Sequence, residues 1–122
     1  MITVAPDAWN QVADGDIKLD LLSIILDSAQ MPTTLIGDAP VEVSAMQSKI
    51  LYVLIANLEQ ICPIKVLHEV ATNRPYEGNP SVVRTHMNHL RTKLPDPYSD
   101  RIMTVRKKGF LMLRTKPVVA IA

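Results

Sequence analysis

The sequence predicts an α+β fold in which an N-terminal antiparallel sheet, three helices and a C-terminal β-hairpin follow one another along the chain. Three observations predict it. Residues 16–43 hold short strand-like runs separated by turn residues, residues 44–94 hold three segments with apolar side chains at helical spacing, and residues 101–114 hold two further strand-like runs joined at a glycine. Strands this short and this closely spaced form a meander, because parallel neighbours need a crossover of about a dozen residues.

The four N-terminal runs are Asp16-Ile-Lys-Leu-Asp20, Ser23-Ile-Ile-Leu-Asp27, Thr33-Thr-Leu-Ile36 and Val41-Glu-Val43, with turns expected at Asp14-Gly15, Pro32 and Gly37-Asp-Ala-Pro40. Ser44-Ala-Met-Gln47 is a capping box that opens the first helix, and Ile50, Leu51, Leu54, Ile55 and Leu58 give it a buried face. A second helix starts with Pro63 at its first position, carries Val66, Leu67 and Val70 inward and ends near Thr72. The polar loop Thr72–Asn79 leads to a third helix capped by Asn79, with Pro80 at its first helical position. Val83, Met87, Leu90 and Leu94 form one narrow apolar stripe on that helix. Its other faces carry Arg84, Thr85, His86, Asn88, His89, Arg91, Thr92 and Lys93, and no acid. After a loop at Pro95–Asp100, Arg101–Arg106 and Phe110–Arg114 read as strands joined through Lys107-Lys108-Gly109, with positive φ expected at the glycine.

The 122 residues suit a single domain, 1–122, made of the sheet (16–43), the helical core (44–94), the hairpin (101–114) and a tail (115–122). With 48% hydrophobic and 20% charged residues the chain has the composition of a folded domain, not of a disordered one. No run approaches the ~18 consecutive apolar residues of a membrane span, and Met1-Ile-Thr-Val4 lacks the basic and apolar regions of a signal peptide. The single cysteine, Cys62, cannot form an internal disulfide, which points to a reducing cytoplasm, and the lack of a spanning run leaves no membrane partner expected.

Charge is distributed unevenly. Residues 1–60 carry two lysines against eight acids, a net of −6, whereas residues 61–122 carry eleven basic residues against four acids, a net of +7. Such asymmetry suggests a basic face for a polyanion, set against the plainer reading of a solvated C-terminal surface. His68, His86 and His89 supply neither the cysteines nor the convergent carboxylate of a zinc site, and no paired carboxylates or Ser/His/Asp set suggests catalysis. No cofactor and no enzymatic activity are expected.

Two helices, a basic helix and a basic-tipped hairpin stand in the order of a winged helix-turn-helix. Residues 16–114, about four-fifths of the chain, resemble the DNA-binding effector domain of OmpR/PhoB-type response regulators. Val41-Glu-Val-Ser44 matches the strand that enters the family's first helix. Val83-Arg-Thr-His-Met-Asn-His-Leu-Arg-Thr-Lys-Leu94 matches its third helix, and Thr104-Val-Arg-Lys-Lys-Gly-Phe110 its wing. Departures are also specific. Ser48 stands where the family usually has an aromatic and Ala71 where it has tryptophan, so the core must pack differently. Arg84 replaces an acid, and Asn88 and His89 replace two arginines, so the base-reading surface is particular to this chain. Nothing in the sequence offers a receiver domain, and a free-standing effector domain is expected, with a fragment of a longer chain as the alternative.

The resemblance implies sequence-specific binding of double-stranded DNA by a transcriptional regulator, as a homodimer on repeated half-sites. The third helix would enter the major groove, with Arg84, Thr85, Asn88 and His89 toward bases and His86 and Arg91 toward phosphates. Thr104, Arg106, Lys107 and Lys108 complete the expected DNA contacts, the arginine suiting an A/T-rich minor groove. The resemblance also implies a contact with RNA polymerase through Arg74, Tyr76 and Glu77, against the plainer reading of a turn that positions the third helix. A different class of function stays open: a protein-interaction module that binds RNA polymerase or another regulator, consistent with the net charge of +1 and the apolar tail Val118–Ala122.

Overall fold

Alternation along the N-terminal runs sorts their side chains between core and solvent, as a pleated meander requires. The computed structural model describes residues 17–26, 31–96 and 98–115; the turn expected at Asp14-Gly15 and the apolar tail lie outside them. Strands β1 (Ile17–Leu19), β2 (Leu22–Leu26), β3 (Pro32–Ile36) and β4 (Ala39–Pro40) form an antiparallel sheet in sequential order. Leu19, Leu22 and Ile24 point into the core, whereas Leu21 and Ile25 face outward. The β1–β2 turn is set by Asp20 at φ +55, a conformation an aspartate tolerates, and the sequence reading did not mark it.

Two boundaries in this sheet differ from expectation. Pro32 opens β3 instead of forming a turn, which its missing N–H permits at the first residue of a strand. The fourth strand is Ala39–Pro40 and not Val41–Val43, because Gly37 at φ +59 reverses the chain at once and sets Ala39 opposite Ile36. Val41 still donates its N–H to the Thr34 carbonyl, but the Val43 N–H turns back to the Val41 carbonyl and ends the ladder.

Helix α1 (Ala45–Ala56) carries the expected capping box: the Gln47 N–H donates to Ser44 Oγ, and the Ser44 N–H donates to Gln47 Oε1. It buries more than one face. Tyr52 and Val53 are as enclosed as Ile50, Leu51, Leu54 and Ile55, because α1 is the central element, packed by the sheet, both other helices and the hairpin. An all-round apolar helix of this kind belongs in the middle of a core. The two family departures are accommodated here. Ser48 is buried and its hydroxyl shares a 2.7 Å hydrogen bond with the buried Thr34 hydroxyl of β3, while Ala71 lies buried in α2.

Cys62 and Pro63 form a short strand, β5, so Pro63 precedes helix α2 (Ile64–Thr72) instead of opening it. Asn73 closes α2 in the left-handed conformation that an asparagine adopts readily at this position. Helix α3 (Ser81–Lys93) begins one residue later than its sequence suggests: Pro80 stands at the N-cap, without a side-chain cap, although its φ and ψ are already helical, and Asn79, one residue before it, accepts the Ser81 N–H at Oδ1. Val83, Met87, Leu90 and Leu94 are all buried.

A 3₁₀ turn at Ser99–Arg101 precedes β6 (Ile102–Val105) and β7 (Gly109–Met112), which join β5 in a sheet ordered β5-β7-β6. Arg101 therefore lies before the strand and not in it. It is buried, paired with Asp20 at 2.9 Å and set against the Tyr98 ring, whose hydroxyl accepts the Leu21 N–H. These contacts tie the first β-turn to the base of the hairpin. Ile102, Phe110 and Met112 are its inward residues, whereas Leu111 is only partly covered. The left-handed turn residue is Lys107 at φ +65. Gly109, at φ +152, serves a different need: a Cβ there would fall on the Cys62 carbonyl of β5. Burial pushes the Cys62 thiol up to about 12. Among the described residues no helix is long and apolar enough to cross a membrane.

Candidate nucleic-acid interface

The buried stripe fixes how α3 is rotated, and 3.6 residues per turn then places every other side chain. Thr85, Asn88, His89 and Thr92 fall opposite the stripe, and all four are exposed. Arg84 and Arg91 fall on one flank, His86 and Lys93 on the other. The contacts agree with that geometry. Arg91 meets the hairpin, His86 meets the start of α1, and Lys93 lies 3.8 Å from Glu42, just before α1. The exposed surface of α3 thus presents donors from Thr85, Asn88 and His89 on its outward face and from Arg84 at its edge, with no carboxylate along the helix, although the Thr92 hydroxyl is spent on the Asn88 carbonyl.

Arg91 and Thr104, both expected at DNA, are brought together. Arg91 Nη2 donates to the Ile102 carbonyl at 3.1 Å and to Thr104 Oγ1 at 2.8 Å, and the guanidinium lies 5.7 Å from the centre of the Phe110 ring. Partial burial draws the Arg91 pKa below its ordinary value. This side chain clamps β6 and β7 to α3 and sets the distance between helix and wing. Arg106, Lys107 and Lys108, in the hairpin turn, are exposed and project a triple positive charge beyond that clamp.

On the other flank, His86 Nδ1 is 3.1 Å from Gln47 Nε2. Burial first, and the charge of His89 second, hold His86 below the usual histidine pKa, which leaves it neutral at pH 7. Gln47 stood out in the sequence as half of a capping box, but its contact with α3 had no sequence signal. The same is true of Arg101 and Asp20, which are 81 residues apart.

The loop after α2 forms a separate feature. Arg74 and Glu77 are exposed on the wall of a cleft of about 580 Å³ that also includes Met46, His68 and Val82. Tyr76 is half-buried, edge-on to the His68 ring at 5.3 Å, and its N–H donates to Glu69 Oε2. Two of the three residues expected at a polymerase are therefore free at the surface, and the third helps to hold the loop. Among the described residues no three His, Cys, Asp or Glu side chains group as metal ligands.

The family described as "Transcriptional regulatory protein, C terminal" matches residues 38–112. A search of curated proteins gives no match. Among solved structures, the chain is similar to the DNA-binding domain of CpxR from E. coli, at 22% identity and a TM-score of 0.68, with 81% of this chain and 96% of that one covered. It is similar also to the DNA-binding domain of Klebsiella pneumoniae RstA, solved in complex with the RstA box, at 26% identity and a TM-score of 0.64 over 82% and 98% of the two chains. The response regulator DrrB of Thermotoga maritima, an OmpR/PhoB homologue, aligns at 22% identity and a TM-score of 0.62 over 81% of this chain and 44% of its own. With the order of sheet, three helices and hairpin, and with the family match spanning β4 to β7, the chain belongs to the OmpR/PhoB-type C-terminal domains of transcriptional regulatory proteins, a DNA-binding winged-helix family.

Proposed function

We propose that the domain reads duplex DNA sequence-specifically, with α3 in the major groove and the hairpin turn against the neighbouring minor groove. One observation carries the proposal: the exposed surface of α3 offers Arg84, Thr85, Asn88 and His89 and contains no acid, beside a hairpin turn of three consecutive basic residues. The major groove admits one α-helix, and its purine edges present the acceptors that such donors need. An arginine fork fits guanine O6 and N7, and an asparagine amide fits adenine N6 and N7, which suits Arg84 and Asn88 one turn apart. His86 donates to a phosphate. Arg91 can add one with the N–H groups its clamp leaves over, and Thr104 sits beside it. Arg106 enters the minor groove while Lys107 and Lys108 hold the backbone.

The RstA and AdeR DNA-binding domains were both solved with DNA, one with the RstA box and one with an intercistronic region, which supports the same use of this fold here. The domain binds repeated half-sites as a homodimer, since one helix reads only a few base pairs. Arg74 and Glu77, on the cleft beside exposed Met46, contact RNA polymerase once the domain is on DNA, with Tyr76 holding the loop. Selection of bound sequences from a random duplex library tests the proposal. A recurring half-site is expected; an unenriched pool, together with a protein retained from cell lysate, would favour the protein-interaction module instead.

A further inference from the structure

His86 meets α1 through a side chain that already has a task. The capping box uses the carbonyl half of Gln47, whose Oε1 accepts the Ser44 N–H at 2.9 Å. The amide nitrogen is therefore the half that faces α3, and it lies 3.1 Å from His86 Nδ1. An amide NH₂ only donates, so Nδ1 must accept and the ring proton belongs on Nε2. Protonating the ring would set an Nδ1–H against that NH₂, donor against donor.

We propose that Gln47 is a positioning residue for His86, donating to Nδ1 so that the ring is held in its neutral Nε2–H form with one uncharged N–H turned away from α1 toward a phosphate oxygen. The ring state follows from the geometry alone; its use at a phosphate rests on the DNA-binding reading above. His89 on α3 is the titratable group whose charge acts on His86, α1 meets it through the neutral Gln47 amide, and the Lys93–Glu42 pair occupies the same flank further along the helix. Burial and His89 both oppose the charged ring, in the same direction as Gln47. The contribution of His86 to DNA affinity is therefore less sensitive to pH than that of an ordinary histidine, which takes up its proton at a higher pH.

The substitution Gln47→Glu tests this. A carboxylate still accepts the Ser44 N–H, but its second oxygen accepts an Nδ1–H and favours the charged ring. Two measurements on wild type and variant are needed: ¹⁵N NMR of the His86 ring between about pH 5.5 and 8, and affinity for one duplex at about pH 6 and pH 8. We expect the Nε2–H tautomer in the wild type at neutral pH. In the variant we expect Nδ1–H and a titration midpoint higher by about one pH unit or more. The variant-to-wild-type affinity ratio, in which His89 cancels, should rise several-fold from pH 8 to pH 6. A wild-type ring protonated on Nδ1, or equal midpoints in the two proteins, would overturn the positioning role. A flat ratio with the expected change in the ring would overturn the phosphate role of His86. Failure of DNA reading as a whole would show separately, as a wild type without duplex preference. If Gln47→Glu does not fold, Gln47→Met removes the donor without adding a charge, and a mixture of tautomers with a raised midpoint is expected; an unmixed Nε2–H ring would overturn the assignment.

Discussion

Replacing Arg91 by lysine separates two roles that its guanidinium could serve. As a phosphate contact it would act through charge, whereas as a clamp it acts through shape. The clamp consists of bonds of 3.1 and 2.8 Å to the Ile102 carbonyl and Thr104 hydroxyl, with the Phe110 ring beneath. A hydrogen bond to a charged group contributes about 1.5–3 kcal/mol when buried, and a cation–π contact at an exposed site about 0.5–1 kcal/mol. Arg91 is only partly buried, and its partner Thr104 is exposed. Solvent competition brings the whole set to about 1–2 kcal/mol. For a domain of this size that lowers Tm by about 3–12 °C. An ammonium keeps the charge but cannot fork or stack in the same way. Arg91→Lys should therefore lose nearly as much stability as Arg91→Ala, and weaken duplex binding without changing its salt dependence, because the wing is misplaced. Thermal unfolding by circular dichroism and duplex titrations at several salt concentrations measure both quantities. Wild-type Tm and affinity in Arg91→Lys, with Arg91→Ala losing about one unit of log–log salt slope, would refute the clamp and leave a plain phosphate contact.

Three further expectations concern the frame that holds the interface. Ser48→Ala strands the buried Thr34 hydroxyl and should cost about 1–3 kcal/mol, while the double variant with Thr34→Val should recover much of it; additive losses in chemical denaturation would show that the hydroxyls are not coupled. Gly109→Ala drives a methyl onto the Cys62 carbonyl at a left-handed position and should destabilise by about 2 kcal/mol or more, read as a lower denaturation midpoint with unchanged slope. The Cys62 thiol, pushed up to about 12, should resist thiol reagents at pH 8 until the chain unfolds. Its linkage has a definite sign. The unfolded thiol loses its proton first, so stability should fall as pH rises from about 9 toward 12, and a Cys62→Ser protein that falls equally would assign the effect elsewhere.

The parts of this fold that the sequence announced are those governed by local pattern. The capping box, the Val83–Met87–Leu90–Leu94 stripe and the hairpin with its basic turn all follow from spacing and side-chain chemistry within a dozen residues. Where local pattern failed, a distant partner decided the outcome. Pro63 reads as a helix start, but its neighbour Cys62 pairs with Phe110 and draws both residues into a strand. Arg101 reads as strand until Asp20 and Tyr98 bury it. Tyr52 and Val53 lie off the expected face of α1, yet the elements packed around that helix bury them too. The interface was half legible in the same sense. Which residues α3 exposes follows from its stripe, whereas the assignments of Arg91 to the wing and His86 to Gln47 depend on elements that meet α3 only in the folded chain.

The measurement that tests the central claim most directly is the affinity of α3 variants for a selected half-site, set beside their affinity for an unrelated duplex. Arg84 and Asn88 stand one turn apart on exposed helix and away from the buried stripe, so removing either side chain leaves the core intact. Arg84→Ala and Asn88→Ala should each lose about 1–3 kcal/mol on the preferred site, or about 5- to 150-fold, and each should relax the preference at one base pair. On the unrelated duplex Asn88→Ala should bind as wild type does, because an amide carries no charge. Lys93→Ala, already paired with Glu42, should have only a weak and sequence-independent effect. If Arg84→Ala and Asn88→Ala bind both duplexes as the wild type does, α3 does not read bases, and the account of this domain as a sequence-specific regulator is contradicted.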